Sequence, residues 1–429
     1  MNGSTIFNPE HDLALANGSR YFIAPRNIRE MARDIAPLLD VIEGDQFLVW
    51  GWDGAVKEQL LRMGIAENQL PTDAALTALR ACSERKSAHH LLHAFHADHP
   101  DGPYTGESII AHSIDDIAAY ATQHKHIVLK DPLSSSGKGL RHVKEHQETH
   151  LNPPSEGGLE APRCQHPLPY REGWGGSISS WANALFKRHG YLTAEPFYNK
   201  VQDFAMEFCI RDGQYHFIGY SLFNTNHHGR YESSLLMTDE KIENRLAQYI
   251  PHAALHEVRD WVITHADRFI PTEWDTTKHP LYFGIDMMIV NNGQQLAHDS
   301  LDLPYGENCQ FSKLHLSESK DCLLALPSIA TSTKLIANYQ FKIHPCVEIN
   351  LRLNMGIIAH EVRRKLLAPD TEGTFHVTAF PTEEAAQQFH QEYITKHPPV
   401  YREGKIVSGY HPLTPIHPHT RHHAYIMCR

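Results

Sequence analysis

Apolar positions along the chain follow two spacings: alternation over short runs, and helical periodicity over longer ones. Thr5 to Phe7 and Gln46 to Trp50 read as strands. Arg26 to Leu39 and Gly54 to Met63 read as helices, the second with Val56, Leu60 and Leu61 on one side and Gly64 closing it. Strand alternating with helix predicts a parallel α/β sheet over roughly the first hundred residues. Thr72 to Phe95 is predicted helical in two pieces joined at Ser83-Glu84-Arg85-Lys86. Ser108 to His112 is a predicted strand, and Ser113 to Asp116 opens a helix as a capping-box variant.

A hairpin comes next. His126-Ile-Val-Leu-Lys130 ends in a lysine, Ser134-Ser135-Ser136-Gly137-Lys138-Gly139 forms a small flexible loop, and Leu140 to Val143 returns as a strand. Backbone N–H groups and two ammonium groups at one spot suit a polyanion such as a nucleotide's phosphates. An ordinary Gly/Ser hairpin tip with a surface lysine is the other reading of the same residues. It is not a P-loop, because Gly139 follows Lys138 and no glycine stands five residues before Gly137.

Glu145 to Gly176 turns to Pro, Gly, Glu and His and reads as a loop-like insertion. Trp181 to His189 is predicted helical and Tyr191 to Phe197 a strand. Asp203 to Arg211 and Tyr215 to Phe223 pair around Asp212-Gly213. His252 to Phe269 is a predicted helix, Leu281 to Val290 a strand with the single acid Asp286, and Cys346 to Leu353 another strand before a helix to Leu367. Phe375 onward supplies a strand, a helix around Glu383 to Tyr393, and a His- and Pro-rich end, His411 to His423, that reads as surface loop.

Composition narrows the function class. The 429 residues are 41% hydrophobic and 21% charged, an ordinary globular balance with room for several packed units. A formal net charge of −11 argues against a nucleic-acid surface. The seven cysteines form no Cys-x-x-Cys, so neither a disulfide framework nor a zinc site is expected. Met1 to Asp12 has no basic start or apolar core, and no apolar run reaches membrane-spanning length, so a reducing cytoplasm is expected. His89 and His93 stand at metal-chelating spacing, but without a nearby carboxylate they read as a polar helix face over Leu91, Leu92 and Phe95.

The chemistry collects late in the chain. Glu348 and Asn350 stand two apart on a strand and share a face, which Arg352 is expected to continue; Asp286 sits on the strand before. Acids embedded in apolar strands need a cation or donors beside them. Two carboxylates and an amide oxygen suit Mg²⁺ bridging phosphates, and strand-end acids paired with Arg352 or a lysine are the alternative. Glu10, His11 and Asp12, just after the first strand, lie where α/β sheets line a crevice; helix capping by Asn8 or Asp12 is the other reading.

In order, a strand lysine, a Gly/Ser loop, Ala-Glu195-Pro-Phe, Asp203-Phe-Ala-Met-Glu, Gly-Ile-Asp286 and Glu348-Ile-Asn350-Leu-Arg352 resemble the ATP-grasp superfamily over about Leu79 to Leu366. That resemblance implies an α/β (α+β) fold: a Rossmann-like N-terminal domain (1–100), a small ATP-grasp lobe (101–195), a large lobe (196–370) with a long insertion (291–345), and a C-terminal extension (371–429). Nucleotide would lie between two antiparallel sheets. The resemblance implies Arg85 or Lys86 as the first nucleotide contact, Lys130 on the α- and β-phosphates, and Ser134 to Gly139 over the triphosphate. It places Glu195, Phe197 and Tyr198 beside adenine, Asp203 on the ribose, Asp286, Glu348 and Asn350 on Mg²⁺ (or Mn²⁺), and Arg352 at the transferred phosphoryl group.

The implied activity is ADP-forming ligation of a small carboxylate to an amine, a thiol or a short peptide through an acyl phosphate, with ATP as cofactor. A kinase of the same fold and a non-catalytic ATP-binding protein are the alternatives. Specificity would come from Asn8 to Asp12 and from the Asn224 to Tyr231 loop, where Arg230 is a candidate for the acid. No nucleic-acid or membrane partner is expected, and a homodimer is compatible with the sequence.

Overall fold

The computed structural model describes residues 4–43, 47–134, 139–144, 176–225, 231–292 and 339–429. In chain order the first elements are β1 (Ser4–Ile6), α1 (His11–Asn17), α2 (Arg26–Ile35), β2 (Phe47–Val49), α3 (Gly54–Arg62), α4 (Asp73–Cys82) and α5 (Arg85–Asp98). Next come β3 (Ile109–Ala111), α6 (Ile114–Ala121), β4 (His126–Lys130), β5 (Leu140–Lys144), α7 (Gly176–His189) and β6 (Leu192–Pro196). The second half holds β7 (Lys200–Arg211), β8 (Gln214–Thr225), β9 (Tyr231–Leu236), α8 (Asp239–Leu246), α9 (His252–His265), β10 (Leu281–Asn291), β11 (Phe341–Asn350) and α10 (Met355–Leu366). It closes with β12 (Gly373–Ala379), α11 (Glu383–Lys396), β13 (Val400–Arg402), β14 (Lys405–Pro412) and β15 (His422–Cys428).

Local chemistry sets the ends. Asp53 caps α3 by accepting from the Ala55 and Val56 N–H groups. Both halves of the capping box at Ser113 and Asp116 form. Asp212 and Gly213 turn the β7–β8 hairpin with φ of 51° and 71°, values that match the strands' twist.

Three sheets result. The N-terminal parallel sheet has, among the described residues, the two strands the sequence predicts there, β1 and β2. The third strand, β3, leaves it for a four-stranded antiparallel sheet ordered β3-β6-β4-β5. That small sheet has its own core, with Ile117, Ile127, Leu129 and Leu192 fully buried. The large sheet is nine-stranded, in the order β11-β10-β7-β8-β9-β12-β15-β14-β13. Its apolar face, with Phe204, Met206, Phe208, Ile285 and Ile289, shares a core with Leu255 and Val258 of α9 and with the N-terminal Leu60 and Leu79. The opposite face of β7, β10 and β11 carries the acids.

The two ends of the His-rich segment are corrected from surface loop to strand, while 413–421 between them is irregular as expected. β14 and β15 extend the large sheet beyond β12. His423 is fully buried there, its two ring nitrogens paired with the Tyr410 hydroxyl at 2.6 Å and the Thr414 hydroxyl at 3.0 Å. A histidine satisfied on both sides behaves as a core residue. In α5, His89 and His93 bond Ser108 rather than forming a metal site. Among the described residues no helix is long and apolar enough to cross a membrane.

Candidate active site

Strand register gathers the acids. Asp286 stands opposite Glu348 and Ala205, while Gly284 stands opposite Asn350 and Glu207. Because side chains alternate, Asp203, Glu207, Asp286, Glu348 and Asn350 project from one face. The Asn350 amide donates to Asp286 Oδ2 at 3.3 Å. Burial, then the neighbouring Glu348 charge, pushes the Asp286 carboxyl up to about 7.

The small sheet and the start of α5 supply the cations. Lys130 ends β4, is buried, and reaches Glu195 Oε1 on β6 at 2.6 Å. Arg85, the first residue of α5, binds the hairpin through its Nε–H to the Asp131 carbonyl, at 3.0 Å, and crosses to Glu348 Oε2 at 3.2 Å. A Cβ at Gly139 would run into Ser134 Oγ and the Asp131 side chain, so the hairpin closes this tightly only with glycine there. Cys346, buried on β11, has its thiol pushed up by burial, with Lys130, Asp286, Glu348 and Glu195 all close enough to act on it electrostatically. Lys130 and Glu348 therefore flank one interior.

The third wall is N-terminal. His11, Asp12, Ser83, Arg85, Ser134, Glu348 and Asn350 line an open, shallow crevice. The His11 ring packs against the Cα of Gly51, where any side chain would collide, and its Nδ1 lies 3.3 Å from Asp53 Oδ2. Asn8 ties the same corner by exchanging hydrogen bonds with the Gly51 backbone. Glu10 is raised by burial, and its Oε2 is buried with no hydrogen-bond partner among the described residues.

Arg352 does not continue the β11 face, since the strand ends at Asn350. Its guanidinium turns to Asp12 in a two-pronged pair, Nε to Oδ1 at 3.2 Å and an Nη to Oδ2 at 3.0 Å, and also donates to Asn350 Oδ1 at 3.0 Å. Burial raises the Asp12 carboxyl, and Arg352 and His11 more than reverse that, holding it below the ordinary aspartate range.

The other expected positions divide. Lys86 is turned away from the cleft, its ammonium 2.7 Å from Glu84 and over the Tyr191 ring, which leaves Arg85 as the basic residue facing Glu348. Phe197 stacks on His126 at 4.2 Å, and the Tyr198 hydroxyl accepts from the Glu107 N–H at 2.8 Å. Asp203, raised by burial, is 2.5 Å from Lys200 Nζ. Ser135, Ser136, Gly137, Lys138 and Arg230 lie outside the described residues.

Two residues were missed. Glu207 is fully buried, its Oε2 accepting from the Asn354 amide at 2.7 Å, and its carboxyl fits only because residues 284 and 356 are glycines. The strand alternation from Asp203 already pointed to it. His344, on β11, is fully buried with both ring nitrogens unpaired among the described residues; burial, then the Lys130 charge, lowers it to about 3.

Burial lifts Glu207 from 4.5 to about 8. Between those values the unfolded chain releases a proton that the folded chain keeps, so this group's stabilisation is full below 4.5 and is lost as pH rises through 8. The midpoint temperature of the metal-free protein is accordingly expected to fall from pH 5 to 8 more steeply than that of Glu207→Gln. Parallel thermal-unfolding curves for the two proteins would contradict this.

No three His, Cys, Asp or Glu side chains among the described residues gather as a metal site. The donor set of Asp286, Glu348 and the Asn350 oxygen instead suits a hard cation that draws its remaining ligands from phosphate and water. The raised Asp286 carboxyl is the group a divalent cation would neutralise.

A small antiparallel sheet ending in a buried lysine, beside a larger antiparallel sheet with an acid-bearing face, is the arrangement that resemblance to the ATP-grasp superfamily implied. No protein-family model matches the chain. No curated protein matches it either. Among solved structures it is similar to N5-carboxyaminoimidazole synthetase from Staphylococcus aureus complexed with ADP, at 9% identity and TM-score 0.38 over 82% of this chain and 68% of that one. A biotin carboxylase β-γ-ATP complex from Campylobacter jejuni matches at 10% identity and TM-score 0.42, over 89% and 70% of the two chains. N5-carboxyaminoimidazole ribonucleotide synthetase from Thermus thermophilus matches at 11% and 0.41, over 89% and 83%. At these identities and scores the likeness assigns no residue a role.

Proposed function

We propose that the chain is an ATP-dependent, ADP-forming ligase that activates a carboxylate as an acyl phosphate and passes it to an amine. The observation that carries this reading is the bridge between the two sheets: Arg85 donates to the Asp131 carbonyl, next to Lys130, and reaches Glu348 at 3.2 Å. Each cation there is held by an acid: Lys130 by Glu195, Arg85 by Glu348 and Arg352 by Asp12. A magnesium triphosphate brings both signs of charge and can exchange into such a site without stranding a buried ion.

Lys130 and Arg85 would bind phosphate oxygens, with Ser134 beside them. Glu195, Phe197 and Tyr198 would border the base, and Asp203 the ribose. Asp286, Glu348 and Asn350 would hold Mg²⁺ or Mn²⁺, which when bound neutralises charge on the phosphates. A substrate carboxylate oxygen forms a bond to the γ-phosphorus, and the bond from that phosphorus to the β–γ bridging oxygen breaks, its electron pair leaving with ADP. An amine nitrogen then bonds the acyl carbon, phosphate departs with the C–O electron pair, and the ammonium proton passes to solvent. Alignment and charge neutralisation suffice for the first step without a protein nucleophile.

The test is ADP release from MgATP across small carboxylic acids, with and without hydroxylamine. Hydroxamate is the expected product. ADP without hydroxamate would mark a kinase instead, and tight ATP binding without ADP a non-catalytic binder.

A further inference from the structure

Two ion pairs border the crevice, and the proposed chemistry absorbs only one. Arg85–Glu348 belongs to the nucleotide and metal. Asp12–Arg352 lies beside it, the carboxylate lining the crevice and the guanidinium held behind it by Asp12 and Asn350. The two side chains keep 21% and 17% of their surface exposed, so neither end of the pair is sealed from solvent.

An incoming carboxylate that took Arg352 alone would strip Asp12 of its two-pronged partner, leaving this part-buried carboxylate only the longer-range charges of His11 and Arg85. Breaking a buried pair in this way is costly. A ligand carrying an ammonium next to its carboxylate removes that cost, because each end meets the charge the other displaces. Arg352 is two residues beyond the metal-donor amide of Asn350, so a carboxylate on its fork would sit beside the phosphoryl group it must attack.

We infer, resting on the ligase reading above, that the activated substrate is a free α-amino acid, its carboxylate bound by Arg352 and its ammonium by Asp12 as the ion pair opens. Asp12 is then a specificity residue that touches substrate, and the N-terminal unit selects the acid.

The experiment uses the full chain with MgATP and hydroxylamine. It compares alanine, leucine, phenylalanine, glutamate and lysine with their N-acetyl derivatives and with propionate. At least one free amino acid is expected to give hydroxamate with kcat/KM more than tenfold above its N-acetyl form and above propionate. In Asp12→Asn the KM for that amino acid should rise at least tenfold while the KM for ATP changes less than twofold; Asp12→Glu should restore part of the loss. Equal use of free and N-acetylated acids, or nucleotide binding with no hydroxamate from any free amino acid in the series, would overturn the inference. The wild-type comparison stands even if Asp12→Asn fails to fold. Binding of a fluorescent ATP analogue, measured separately, tells the two readings apart. Loss of nucleotide binding in the wild-type protein would sink the ligase reading, whereas binding without amino-acid preference sinks this one alone.

Discussion

Replacing Glu348 by Gln is expected to lower Mg²⁺-dependent ADP release by about a hundredfold or more while leaving the fold intact. The substitution keeps the side chain's shape and an oxygen that can still accept from Arg85, whose Nη lies 3.2 Å away. What it removes is the charge a divalent cation needs. Asp286, pushed up to about 7 and partly protonated at neutral pH, is then the one carboxyl left in the donor set, so metal affinity falls first and turnover with it. Raising the Mg²⁺ concentration should recover part of the activity, which a folding defect would not allow. Normal turnover at the same Mg²⁺ concentration would remove Glu348 from the metal site.

The second large effect concerns Lys130. Lys130→Ala is expected to raise the KM for ATP by about tenfold to a hundredfold, the range of one charge-assisted hydrogen bond to phosphate. Its ammonium is buried and tied to Glu195 at 2.6 Å, so the single substitution also strands a carboxylate. The double variant Lys130→Ala/Glu195→Gln separates the two effects. If stranding were the whole cause, the second change would restore the KM; if Lys130 binds phosphate, the KM stays high. An unchanged KM in the single variant would take Lys130 out of the site.

Much of this was legible from local pattern. The β4–β5 hairpin, the Asp212-Gly213 turn, the capping box at Ser113 and the register-sharing acids of β10 and β11 follow from short-range rules. Long-range pairing was not legible. Asp12 and Arg352 are 340 positions apart, and nothing near either residue names the other. The same distance problem hid the sharing of one core between N-terminal helices and the large sheet.

Polarity misled the reading of the C-terminal end. Histidines at 411 to 423 look solvated until Tyr410 and Thr414 are seen to satisfy His423 within a strand pair. Glu207 was a different omission, because it lies four residues after Asp203 on the same strand face. Reading that alternation two steps further would have found a buried carboxyl beside Asp286. At Arg85 and Lys86 the direction of the chain decides. Arg85 begins α5 pointing back to the hairpin, and the next residue rotates away toward Glu84.

Crystallography of the full chain with Mg²⁺ and a non-hydrolysable ATP analogue tests the central claim most directly. The account predicts triphosphate oxygens on Lys130 and Arg85, and the cation between those oxygens and Glu348 with Asn350. Nucleotide bound elsewhere, with the Lys130–Glu195 and Arg85–Glu348 pairs unbroken, would contradict it.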